Sequence, residues 1–237
     1  MRIDGRKNDE LRPLSFTCGF SRFAEGSVLV RMGNTVVLCN ASVEDGVPPH
    51  VKHGGWITAE YAMLPRANRS RSRRDISNLK LSARSAEIQR MIGRSLRSAF
   101  DLDALGERTI TVDCDVLQGD GGTRTASVTG GFLAVYLACR RLVRQGLLNR
   151  VPAVFTAAVS AGIVANQPML DLCYEEDSKA MVDLNCVMTE DGRLIEIQGT
   201  GEGRPFTLEE QRKLVELCGK GVRELIALQK KCLEEAE

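Results

Sequence analysis

At 237 residues, 43% of them apolar, the chain can bury a sizeable core, which excludes an intrinsically disordered protein. The net charge of +1 conceals an imbalance in kind, because 24 of the 32 basic residues are arginine, the side chain suited to bidentate contact with phosphate and carboxylate. The eight cysteines form no C-x-x-C pair, the N-terminal MRIDGRKNDELRPL lacks an apolar h-region, and no apolar run approaches the roughly 18 residues of a membrane span; the expectation is a soluble, cytoplasmic, untargeted chain with reduced core thiols.

In chain order, SVLVRMGNTVVLCNASVE carries two β-rich runs around Gly33-Asn34 and predicts a hairpin, and ITAEYAML predicts a further strand. From Pro65 to Lys80 the apolar pattern collapses into PRANRSRSRRDISNLK, which reads as an exposed loop. Helical spacing then places Ile88, Met91, Ile92, Leu96 and Ala99 on one face, before a strand over 108–118 and a helix over 123–145. From Val151 the pattern opens with β-runs: AVFTAAVSAGIVA, a turn at NQP, a continuation through MLDLCYEE, and a hairpin of AMVDLNCVM and RLIEIQ. A final helix starts at TLEEQRKL, where Thr207 and Glu210 have capping-box spacing. Both halves run from strands into helix, which suggests a duplicated α+β unit, although no side-chain pattern repeats.

The joint between strand and helix at LQGDGGTRTAS carries more than a turn requires. A helix that starts directly after Gly121-Gly122 leaves its first N–H groups unpaired and facing the loop, which is an anion seat. Glycine lets an oxyanion approach the backbone, Thr123, Thr125 and Ser127 offer hydroxyls, and Arg124 adds a planar charged fork. A capped helix at a tight turn explains the same residues without a ligand. A second cation bears on the choice. Arg90, Arg94 and Arg97 share the polar face of this helix, RSAEIQRMIGRSLRSAF, whereas Arg84 lies in its first turn at the edge of the apolar face. There it opposes the helix dipole unless an anion, or a partner such as Glu87, relieves the conflict.

The stretches DGR, AEGSVLVRMGNT, GWITAEYAMLPRA, EIQRMIGRSLR, DCDVLQGDGGTRTAS, VDLNCVM and EIQGTGEG together resemble the ribonuclease PH family, phosphate-dependent tRNA nucleotidyltransferases related to polynucleotide phosphorylase and the exosome ring subunits. The resemblance runs from Met1 to about Phe206, and the C-terminal helix fits it. It implies that Arg84, Gly122, Thr123 and Arg124 hold inorganic phosphate as co-substrate, where the anion seat was read independently. It implies that Asp177 and Asp183 are the paired aspartates that hold Mg²⁺ or Mn²⁺ and assist the leaving 3′-oxygen, against the alternative of an acidic surface hairpin. Arg66, Arg69, Arg71, Arg73 and Arg74 fall in the segment that in relatives contacts the body of precursor tRNA; a solvated loop is the plain alternative. Two positions depart from the family pattern: Ala83 stands where glycine is usual, and Gly119 where alanine is usual.

The resemblance further implies an α+β fold of the ribosomal protein S5 domain 2-like type, its two pseudo-repeated halves, 1–150 and 151–237, packed as one domain. It implies 3′ trimming of precursor tRNA and other RNA 3′ ends by phosphorolysis, releasing nucleoside diphosphates, in a homo-oligomer built as a hexamer from a trimer of dimers. The rivals are a non-catalytic ring subunit of exosome type and a metal-dependent hydrolase. GTGEG at 199–203 lacks the final spacing of a dinucleotide fingerprint, and His50 and His53 lack supporting metal ligands.

Overall fold

The computed structural model describes residues 2–74 and 81–236. Five strands, β1 (Leu14–Cys18), β2 (Gly26–Met32), β3 (Thr35–Asp45), β4 (Trp56–Met63) and β5 (Arg108–Gln118), form one sheet in the order β1-β2-β3-β5-β4. Its pairs are antiparallel except β4 with β5, which run parallel. Parallel neighbours need a crossover, and α1 (Ala83–Ala99) and α2 (Leu102–Leu105) lie in it. A second, antiparallel sheet holds β6 (Thr156–Val164), β7 (Gln167–Leu170), β8 (Val182–Thr189) and β9 (Leu194–Thr200) in the order β7-β6-β8-β9.

The predicted hairpin, the 108–118 strand and the amphipathic helix all form, and Ile88, Met91, Ile92, Leu96 and Ala99 are buried together. Two expectations about the path of the chain need correction. The strand read through MLDLCYEE ends at Leu170, because Asp171 turns into the left-handed region at φ 51° and a single helical turn, α4 (Tyr174–Asp177), follows. The expected exposed loop is anchored within its described part: Ala67 is buried, and its carbonyl accepts from the Gly119 N–H at 2.9 Å. Residues 75–80 of that stretch lie outside the described residues.

The helix α3 (Thr123–Arg144) packs against both sheets and is buried along most of its length. By length and composition it could cross a membrane, contrary to the expectation that no such run exists, but 72% of that stretch is buried inside the fold. Gly130 permits the close approach to the first sheet, since a Cβ there would meet Val30 Cγ2 at 2.3 Å. The last helix, α5 (Leu208–Glu235), begins with the predicted capping box, Thr207 Oγ1 accepting from the Glu210 N–H and Glu210 Oε2 from the Thr207 N–H. It covers β6, β7 and β8 and reaches β1, so one apolar core spans both sheets. Five of the cysteines are buried in it as expected, and Cys173 is buried outside it; Cys18 and Cys232 are half-exposed, their sulfurs 2.7 Å apart between β1 and α5.

Candidate active site

The joint between β5 and α3 opens onto a cleft of about 680 Å³. Gly121 and Gly122 both take positive φ, 75° and 63°, and Gly122 is the N-cap of α3 without any side-chain cap. Side chains resist that backbone, so two consecutive glycines are what allow the chain to enter the helix at once with its first N–H groups uncovered. Thr123 and Arg124 line the cleft beside them. The Thr123 hydroxyl is fixed by the buried Tyr61 hydroxyl at 2.9 Å. Arg124 reaches Gln198 Oε1 at 3.3 Å and the Glu87 carboxylate at 3.8 Å, which orient its guanidinium across the cleft floor. Arg84 faces the same cleft from the first turn of α1, a turn with no acidic residue to offset the dipole.

The other hydroxyls expected at the seat are not available to it. Thr125 Oγ1 donates to the Gly122 carbonyl at 2.9 Å, Ser127 Oγ to the Thr123 carbonyl at 2.9 Å, and both residues are fully buried. Successive helical residues turn by about 100°, so these side chains face the core and bond back along the helix.

The opposite wall is acidic. Asp177 ends α4, and Asp183 lies near the start of β8, paired with Gly162 on β6. Burial pushes the Asp177 carboxyl up, against the pull of Arg124 and Arg84. Asp183 is pushed up to about 6, first by burial and then by the Asp177 charge, with Arg124 and a 3.1 Å hydrogen bond from Asn185 Nδ2 acting in the other direction. Two desolvated carboxylates, the charge of Asp177 raising Asp183, beside Arg124 and Arg84 can share a cation or carry a proton. Among the described residues no group of three or more His, Cys, Asp or Glu has the arrangement of a metal cage. Two carboxylates with an open cleft fit Mg²⁺, which keeps waters and substrate phosphate oxygens among its ligands.

The five arginines of the 66–74 stretch are not one surface. Arg69 lines the cleft and bridges to Glu175 at 2.8 Å, while Arg73 and Arg74 line a neighbouring groove of about 520 Å³ with Glu60, Asp113 and Asp115 on its floor. Burial pushes both Asp113 and Asp115 up; Arg74 pulls Asp115 back. Arg66 and Arg71 are exposed and, among the described residues, line neither space.

Behind the cleft lies a group of charges that no local pattern announced. Buried Arg12 binds buried Asp171 through Nε at 3.0 Å and Nη2 at 2.6 Å, across 159 positions of sequence. Buried Arg2 binds buried Glu176 through Nε at 2.8 Å and Nη2 at 2.6 Å. The only sequence signal was the arginine-rich composition of the first twelve residues. His50, by contrast, stacks edge-on against Trp56, which accounts for it without a metal.

Residues 10–140 match the model of the 3′ exoribonuclease family, domain 1, and residues 155–220 match its domain 2. Ribonuclease PH of Bacillus subtilis is 54% identical over 240 residues, covering 100% of this chain and 98% of that one. Among solved structures, an archaeal exosome core superposes with a TM-score of 0.76 at 25% identity, covering 97% of this chain and 91% of the other. The exosome of Archaeoglobus fulgidus with RNA bound to its active site gives 0.79 at 24% identity, covering 94% and 91%, and attests the shared fold. With both domain models and a full-length relative in agreement, the chain belongs to the ribonuclease PH family of 3′ exoribonucleases.

Proposed function

We infer that the chain is a phosphorolytic 3′-to-5′ exoribonuclease, a tRNA nucleotidyltransferase that trims the 3′ end of precursor tRNA and releases nucleoside diphosphates. The observation that carries this reading is the meeting, in one cleft, of an uncovered helix N-terminus flanked by Arg84 and Arg124 with the acidic pair Asp177 and Asp183. Inorganic phosphate must attack another anion, so the protein has to offset their mutual repulsion. Gly122, Thr123 and Arg124, with Arg84, hold the attacking phosphate by backbone N–H, hydroxyl and guanidinium groups. Asp177 and Asp183 hold Mg²⁺ or Mn²⁺, which when bound supplies positive charge at the leaving 3′-oxygen. Asn185 orients the Asp183 carboxylate, and Tyr61 fixes the Thr123 hydroxyl. The new bond joins phosphate oxygen to the terminal phosphorus, the bond to the 3′-oxygen breaks, and that oxygen takes a proton.

Arg66, Arg69, Arg71, Arg73 and Arg74 contact the RNA beyond the scissile end. Residues 1–150 and 151–237 act as two halves of one domain, which the shared core and the return of α5 to β1 support. The protein works in the cytoplasm as a ring, a hexamer assembled from dimers, as the likeness to ring-forming exosome cores supports. The test is product identity with and without phosphate. Nucleoside diphosphates formed only with phosphate are the expected result; monophosphates formed without it mean a hydrolase, and RNA binding without turnover means an exosome-type scaffold.

A further inference from the structure

The segment before β1 packs three arginines onto one turn of the second half. Arg2 Nη1 donates to the Leu170 carbonyl at 2.8 Å, and Nη2 of both Arg2 and Arg6 donates to the Asp171 carbonyl at 3.1 Å. Arg12 takes the Asp171 carboxylate, its own backbone N–H adding a bond of 2.8 Å. These bonds hold Asp171 in a backbone region that residues other than glycine avoid.

The same arginines touch both walls of the cleft. Arg12 Nη1 donates to the Asp120 carbonyl at 2.5 Å and lies 3.5 Å from that of Gly121, which also accepts from Thr35 Oγ1 at 2.7 Å. In a trans peptide the C=O and N–H point opposite ways. Carbonyls drawn back onto Arg12 and Thr35 therefore aim the Gly121 and Gly122 N–H groups away from them, and both glycines line the cleft. On the acidic side, Arg2 clamps Glu176, which also accepts from the Cys173 N–H at 3.2 Å and directly precedes Asp177. We propose that Arg12 and Arg2 are positioning residues for phosphorolysis: through Asp171 and Glu176 they hold the anion seat and the acidic wall in one frame. The proposal rests on the phosphorolytic reading of this cleft. A buried ion pair is a poor source of stability, whereas a planar guanidinium fork is a good source of fixed geometry.

The experiment compares wild type, Arg12→Lys, the double variant Arg12→Met/Asp171→Leu, and Arg2→Lys. The readouts are Michaelis constants for phosphate and RNA, kcat, thermal midpoint, and phosphate binding by calorimetry. Arg12→Lys should raise the phosphate KM and Kd about tenfold, about 1.4 kcal/mol, with the RNA KM unchanged. The double variant replaces the ion pair by apolar side chains, so its midpoint should return towards wild type while phosphate binding stays weak. Arg2→Lys should lower kcat and leave phosphate binding intact. Recovery of midpoint and phosphate affinity together, or a wild-type phosphate Kd in Arg12→Lys, overturns the assignment of Arg12; a change in midpoint alone overturns that of Arg2. Arg12→Lys decides the matter if the double variant does not fold. A wild type that binds phosphate but turns over without it refutes the phosphorolytic reading, and the calorimetric series still reads the frame.

Discussion

Arg124 and Arg69 line the same cleft, yet they are held in opposite ways. Arg124 sits in the first turn of a core helix with its side chain 20% exposed, between Gln198 and Glu87; Arg69 is 85% exposed, on a segment without regular structure, and its ion pair is with Glu175. A small ion that must attack along one line needs its donors fixed to fractions of an ångström. A long flexible polyanion needs only many contacts of one sign, each weak and screened by salt. On the proposed reading one residue type serves two purposes, and rigidity of the support separates them.

The comparison is broken most severely by Arg124→Ala or Arg84→Ala. Each should reduce phosphorolysis about a hundredfold, about 3 kcal/mol in the barrier, while RNA binding and fold persist. Near wild-type rates at subsaturating phosphate would remove these residues from the seat. Asp183→Asn should also lose activity while retaining RNA, but it carries a stability signature. A carboxyl whose folded pKa lies above its unfolded value binds a proton more tightly in the folded chain, so it lowers stability as pH rises from about 4 to about 6. In chelator, the asparagine variant should therefore be more stable than wild type above pH 6, by on the order of 2 kcal/mol, and should match it below about pH 4. Denaturant melts across that range check the sign.

A smaller effect belongs to the loop. Replacing Arg69, Arg71, Arg73 and Arg74 by alanine should raise the KM for precursor tRNA and flatten its salt dependence, by about 0.7 to 0.9 in log–log slope per lost phosphate contact. Turnover of a short unstructured oligonucleotide should fall far less; equal loss on both substrates would place the loop in the chemistry or in assembly. Smallest of all is Gly119→Ala. The new Cβ would lie 3.2 Å from Asn68 Oδ1 and Met63 Cε, both flexible side-chain ends, so stability should change by less than about 0.5 kcal/mol and phosphate KM hardly at all.

Elements with strong local patterns were readable from sequence: the face of α1, the alternation of β5 and the Thr207–Glu210 box each lie within one stretch of chain. The open helix start after Gly121-Gly122 was readable for the same reason, since two glycines before a helix are a local signal. Which hydroxyls serve it was not, because Thr125 and Ser127 turn inwards under a packing that only the sheets determine. Nor was the Arg12–Asp171 pair, whose halves lie 159 positions apart, the arginine-rich first twelve residues giving no hint of the partner. The five arginines look alike in sequence, and only the folded path separates Arg69, over the cleft, from Arg73 and Arg74, over the acidic groove.

The proposed phosphate seat is the first turn of α3, the helix both sheets share, so on that reading phosphate affinity and folding would be one linked equilibrium. Phosphate at a hundred times its dissociation constant would add about 2.7 kcal/mol to the stability of the entire chain. On the proposed reading the co-substrate would in this sense also be a folding ligand, and removing phosphate would lower the chain's stability as well as its turnover.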